Sequence, residues 1–184
     1  MELDLKPEDL KILFSEEQIQ TRIKELAQEM NKFYNGEEVI AICVLKGAVM
    51  FAVDLVKHLD MPLQMEFIRL SSYGSGFSTS GKVNAVDIKL PDLNGKNVLI
   101  VEDIVDTGLT AKFLMDFMHC NFNAKSIKFC SLLDKKITRK VDIEPDYYGF
   151  EVDNKFVVGY GLDYDENYRN LPYVGVLKEE VYSK

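Results

Sequence analysis

Apolar and polar positions along this 184-residue chain follow two alternating rhythms. Between positions 16 and 34, Ile19, Ile23, Leu26, Met30 and Phe33 recur at the spacing of one helical face. Ser15 with Gln18 has the form of a capping box, and Asn35-Gly36 supplies a stop. Residues 39–45, VIAICVL, then form an unbroken apolar run, which suits a strand buried on both faces. Lys46-Gly47 breaks it, and 48–59 reads as a helix packed on the sheet. Further strands are predicted at 63–70, 83–90, 97–101, 126–133 and 156–160, with a turn at 92–95 and a helix at 109–122. Residues 71–82, SSYGSGFSTSGK, are polar, contain three glycines and join two strands that pair back on each other. Such a loop suits a mobile lid, with a plain disordered hairpin tip as the alternative. Residues 141–151 read as connection and edge, and the tail after 163 reads as irregular.

The alternation of buried strands and helices predicts an α/β domain around a parallel sheet. Ligands of such sheets bind outside the carboxyl ends of the strands. Three strand ends here carry unusual chemistry: Leu45-Lys46-Gly47, the stretch 102–110, and Asp134-Lys135.

Composition narrows the chemistry. Apolar residues make up 47% of the chain, enough for the core of one domain. The net charge of −8 disfavours broad binding to nucleic acid or an anionic membrane. No apolar run approaches a membrane span, and the start MELDLKPEDL lacks the basic and apolar regions of a secretory signal, so the cytoplasm is the expected compartment. Cys43, Cys120 and Cys130 are odd in number, form no Cys-x-x-Cys and read as reduced core thiols. His58 and His119 fall late in helices and read as solvated. With histidine this scarce, carboxylates, lysines, backbone amides and a hard metal are left to act.

The richest string is VLIVEDIVDTGLT, residues 98–110. Its apolar start belongs in the core, and Glu102 and Asp103 follow at the expected strand end. Vicinal carboxylates suit the 2′ and 3′ hydroxyls of a ribose, or a Mg²⁺ bound to them. Gly108 lets the backbone approach a ligand closely. The N–H groups of Asp106-Thr107-Gly108-Leu109-Thr110, at the start of a helix, can hold a phosphate monoester. Asp106 lies between these two sites, where a proton acceptor is useful. Any one of these carboxylates alone would read as part of an acidic turn before a helix cap; the whole string does not. The chain has neither a G-x-x-x-x-G-K-[ST] loop nor a G-x-G-x-x-G after a strand.

This string resembles the phosphoribosyl-pyrophosphate signature of type I phosphoribosyltransferases. VLKG at 44–47 resembles that family's pyrophosphate loop, and Ser72-Tyr73 resembles the lid dipeptide of its hypoxanthine-guanine branch. SLLDKK at 131–136 and KFVVGYGLDYDENYRNLPY at 155–173 resemble that branch's base-binding elements. The resemblance covers about residues 39–173. It implies a central parallel sheet flanked by helices in a single domain, 1–184. A small hood would come from the N-terminal segment and about 155–172, with a lid over 71–82.

The resemblance also implies roles. Glu102 and Asp103 would bind the ribose hydroxyls directly or through Mg²⁺, and Asp106 to Thr110 would cradle the 5′-phosphate. Leu45, Lys46 and Gly47 would hold pyrophosphate, with a cis peptide before the lysine. Arg169 would add a cation there, and Asp163 would carry a second Mg²⁺. The purine would lie between Phe156 and the aliphatic Ile104 and Leu162. Lys135 would donate to its 6-oxo oxygen, which disfavours adenine, whose 6-amino group is itself a donor. The carbonyls of Val157 and Asp163 would accept from the N1 and 2-amino side. Asp106 would take the proton at N7, and the Ser72-Tyr73 lid would exclude water. The expected partners are phosphoribosyl pyrophosphate and a 6-oxopurine, in a homodimer or homotetramer. A non-catalytic sensor of phosphoribosyl pyrophosphate, a transferase for another base such as xanthine, and an unrelated α/β binding protein remain as alternatives.

Overall fold

The structure, a computed structural model, describes residues 10–72, 83–87 and 89–182, with the backbone alone at Ser71, Ser72, 83–87 and Tyr182. Tyr73 and the lid residues 73–82 lie outside the described residues. Among the described residues no helix is long and apolar enough to cross a membrane.

Chain order begins with strand β1 (Leu10–Phe14) and helix α1 (Glu16–Tyr34), then β2 (Val39–Leu45), α2 (Val49–Val56), β3 (Leu63–Ser72) and β4 (Val83–Asp87). It continues through β5 (Asn97–Val105), α3 (Leu109–Asn121), β6 (Ser126–Asp134) and a single 3-10 turn (Lys136–Thr138). The last elements are β7 (Tyr147–Glu151), β8 (Val157–Val158), β9 (Val174–Leu177) and α4 (Glu179–Tyr182).

Six strands form the main sheet in the order β4-β3-β2-β5-β6-β7. From β3 to β7 all neighbours run parallel, and β4 lies antiparallel on the edge. The continuous apolar runs divide by alternation. Val39 and Cys43 of β2 face Ile23, Leu26 and Met30 of α1 and Phe51 of α2. Ile40, Ile42 and Val44 face the other way, onto Ala111, Leu114 and Met118 of α3. Both faces are therefore covered, which is why these strands read as unbroken apolar runs. At the start of α1 the capping box forms: Ser15 Oγ accepts from the Gln18 amide at 3.3 Å, and Gln18 Oε1 accepts from the Ser15 amide at 2.8 Å.

Several expectations need correction. Strand β5 does not end at 101 but continues to Val105, because its pairing with β6 persists through Ile104↔Leu133 and Val105↔Asp134. Glu102 and Asp103 therefore lie inside a strand. The tail after 163 is not all irregular. Its strand β9 pairs with β1 and β8 in a separate three-stranded sheet. These strands run 2 to 5 residues, too short for any periodic signal. Cys43 and Cys130 are buried thiols, but Cys120 is exposed at the end of α3.

Candidate active site

The strand order places a reversal between β2 and β5. From β2 the chain crosses to β3 on one side, and from β5 it crosses to β6 on the other. Connections diverging from such a point leave a crevice at the carboxyl ends of the two central strands. Leu45-Lys46-Gly47 follows β2 there, and Glu102 to Val105 ends β5 beside it.

The contact between these two segments is close. The Leu45–Lys46 peptide is cis. A Cβ on Gly47 would stand 1.5 Å from Asp103 Oδ2. On its other side the Gly47 carbonyl meets the 159–162 loop: a Cβ on Gly161 would stand 2.0 Å from it. Gly161 has φ +99°, and its carbonyl accepts from Arg169 Nη1 at 2.8 Å. Two glycines thus let the Leu45-Lys46-Gly47 turn press against the Asp103 side chain on one side and the backbone of the C-terminal loop on the other.

Charges follow this meeting point. Arg169 Nη2 lies 2.9 Å from Asp163 Oδ1 and 3.1 Å from Glu166 Oε2. Glu166 Oε1 lies 2.9 Å from Lys46 Nζ. Lys46, Glu166, Arg169 and Asp163 therefore form one chain of alternating charge. Beneath it, burial pushes the Asp103 carboxyl up to about 6, against the pull of the Ile104 amide and Arg169. Burial raises Glu102 well above the usual carboxylate range as well, with Asp103 beside it adding to the effect.

A second cluster forms where β5 and β6 end. Lys135 is buried, and its Nζ lies 3.9 Å from Asp106 Oδ2. The Lys135 amide donates to the Val105 carbonyl at 2.9 Å, stitching the two strand ends together. Arg139 completes the stitch. Its guanidinium bonds the Asp134 carboxylate and the carbonyls of Val105, Asp106 and Ile143. Asp134 is fully buried and ion-paired with Arg139. After Asp106, Thr107 leads to Gly108, which caps α3 with φ 81°. A Cβ there would stand 2.7 Å from Arg139 Cδ. Thr107 Oγ1 accepts from the Leu109 amide at 3.5 Å, and Leu109 and Thr110 form the first turn of α3.

The base-side residues divide. Ile104 packs against the cluster that buries Val157 and Leu162. Phe156, just before β8, packs with Val158 and Tyr168 and lies edge-to-face with Tyr164 at 5.7 Å between ring centroids. Ser72 ends β3, and Tyr73 lies beyond the described residues. Glu166, Thr138, Arg139 and Gly161 were missed in the sequence. Only Glu166 had a signal, three residues after Asp163 and three before Arg169.

Residues 10–165 match the phosphoribosyl transferase domain family. The chain belongs to the phosphoribosyltransferase family. This phosphoribosyltransferase is 49% identical over 184 residues to the hypoxanthine-guanine phosphoribosyltransferase of Streptococcus thermophilus, covering 100% of this chain and 99% of that one. To the Bacillus subtilis protein of the same name it is 50% identical over 172 residues, 94% of this chain and 95% of that one. Its fold is similar to a hypoxanthine phosphoribosyltransferase crystal structure from Staphylococcus aureus, with a TM-score of 0.91 and 43% identity over 96% of each chain. The central parallel sheet with helices on both faces is the type I fold of this family.

Proposed function

We propose that this phosphoribosyltransferase is a purine-salvage enzyme. It transfers the 5-phosphoribosyl group from phosphoribosyl pyrophosphate to hypoxanthine or guanine and releases pyrophosphate. The relatives' names support the reaction. The observation that carries the choice of base is the Asp106–Lys135 pair, 3.9 Å apart at adjoining strand ends. A 6-oxopurine presents N7 and O6 on one edge. A carboxylate beside an ammonium matches an N7–H donor beside an O6 acceptor, and mismatches the 6-amino group of adenine.

On this reading Lys46 and Arg169 neutralise the leaving pyrophosphate, with Leu45 and Gly47 shaping its loop. The N–H groups of residues 106–110 hold the 5′-phosphate at the start of α3. Glu102 and Asp103 take the ribose hydroxyls. Ile104, Leu162 and Phe156 bound the purine, and the Val157 and Asp163 carbonyls accept from its far edge. Asp106 takes the proton from N7 as the C1–N bond forms. The lid with Ser72 and Tyr73 excludes water from C1. The 155–172 loop and β1 serve as a hood, in a cytoplasmic homodimer or homotetramer.

The residues suit Mg²⁺. Glu102 Oε1 is buried with no partner among the described residues, and the Asp103 carboxylate lies against Gly47. Among the described residues no three acidic, cysteine or histidine side chains form a ready-made metal cluster. Such an ion would be held by one or two carboxylates and completed by substrate phosphates. Glu102 and Asp103 would hold one ion and Asp163 a second, and they would supply positive charge against the pyrophosphate.

The test is a steady-state assay with phosphoribosyl pyrophosphate, Mg²⁺ and each of hypoxanthine, guanine, xanthine and adenine. Turnover of hypoxanthine or guanine, abolished by EDTA and absent with adenine, is expected. Turnover of adenine or xanthine alone would sink the reading.

A further inference from the structure

Thr138 closes the 3-10 turn after Lys135, and its hydroxyl stands between two acceptors. One is Asp106 Oδ1; the other is the Lys135 carbonyl, at 3.0 Å. A hydroxyl has one hydrogen to donate, so only one acceptor receives it at a time. While Asp106 is ionised, its carboxylate takes the bond, because charge-assisted hydrogen bonds are about twice as strong as neutral ones.

We propose, on the reading of Asp106 as the proton acceptor, that Thr138 is a positioning residue for it. Its hydroxyl engages Oδ1 and thereby leaves Oδ2, which faces Lys135 Nζ at 3.9 Å and takes no hydrogen bond from Thr138, as the basic atom. When the purine N–H bond breaks, its electron pair stays on the ring nitrogen and the proton forms an O–H bond at Oδ2. Oδ1 then becomes a neutral acyl oxygen, no better an acceptor than the Lys135 carbonyl. The Thr138 hydrogen can turn to that carbonyl, staying on its own oxygen throughout. The hold on Asp106 is thus firm while the carboxylate must be aimed and relaxes once the proton has moved. No heavy atom shifts. The same rotor touches the backbone of Lys135, which tests the neighbouring O6, so one hydroxyl serves both halves of the purine edge.

The sequence contains no signal for this arrangement. Thr138 lies 32 residues from Asp106 in the chain, and a threonine in a polar turn reads as solvated.

Thr138→Val and Thr138→Ser test the proposal in the hypoxanthine assay, each alone and in an Asp106→Asn background, with thermal melts alongside. Valine keeps the shape and removes the hydroxyl; serine keeps the hydroxyl. Thr138→Val should lower kcat about tenfold, as expected for a lost bond to a charged group. The KM for phosphoribosyl pyrophosphate should stay within about twofold, and Thr138→Ser should recover most of the loss. In the Asp106→Asn background the valine should cost little more, because the two residues act as a unit. Unchanged kcat in Thr138→Val, with Asp106→Asn impaired, would overturn the proposal and leave the reaction standing. So would an undiminished valine effect in the Asp106→Asn background, which would mark a role in folding. Full activity of Asp106→Asn itself would remove Asp106 as the proton acceptor and this inference with it.

Discussion

The Asp103 carboxylate fills the space that a side chain at position 47 would need, with Oδ2 1.5 Å from where the Cβ would stand. The turn after β2 and the Asp103 side chain of β5 are therefore fitted to each other. Asp103 is a short side chain that can turn away, so Gly47→Ala should fold. It should displace the carboxylate by about an ångström and lower kcat/KM roughly a hundredfold. A melt close to the parent's beside a collapse in turnover is the expected pair of results.

Gly161→Ala should behave differently. Its Cβ would meet the Gly47 backbone carbonyl at 2.0 Å, and φ is +99°, so neither partner can yield cheaply. A loss of at least about 2 kcal/mol is expected in urea unfolding. A midpoint equal to the parent's would show that the loop relaxes freely.

Asp103 also makes stability depend on pH. Its folded pKa, about 6, lies above the ordinary aspartate value, so the folded state binds the proton more tightly than the unfolded chain. The group's contribution is fully present below about pH 4 and is lost as pH rises through about 6. Asp103→Asn removes the ionisation. Without Mg²⁺, it should melt above the parent near neutral pH, with the gap closing towards about pH 4. On the proposal that Asp103 binds Mg²⁺ and the ribose hydroxyls as a carboxylate, binding of Mg²⁺ with phosphoribosyl pyrophosphate should strengthen over the same rise in the parent. Calorimetry at several pH values checks both.

Lys135→Met keeps the length of the side chain and removes the ammonium beside Asp106. It should lower kcat/KM for hypoxanthine by about a hundredfold or more and narrow its margin over adenine. An undiminished margin would assign the discrimination to another group.

Tyr160 ties the C-terminal loop to α2. Its hydroxyl, whose pKa is raised by burial and by Asp54, donates to Asp54 Oδ2 at 2.6 Å. Gln20 and Lys57 remain on Asp54 when that bond is lost. Tyr160→Phe should therefore cost only about 1 kcal/mol in denaturant. Its KM for hypoxanthine should rise, since Gly161 and Leu162 follow directly in the chain. A KM unchanged in a destabilised variant would separate the tether from the base site.

Much of this protein is legible in one dimension. Helix α1 ends where its periodicity and capping box place the ends, and β2 spans the expected apolar run, because helical period and two-sided burial are local patterns. The string 98–110 stood out as a candidate site because carboxylates, threonines and a glycine stand together in sequence. Strand order, register and charge pairing are different in kind. Lys46 meets Glu166, 120 residues on, Tyr160 reaches back 106 to Asp54, and Asp134 is buried only because Arg139 turns onto it. The short strands of the second sheet have too few residues to show a period, and they exist because β1 and β8 flank β9. Residue types and their spacing determined which chemistry this chain could perform. Only the packed sheet, by fixing which strand ends are neighbours, decided which residues hold Asp106, Asp103 and Lys46 in place.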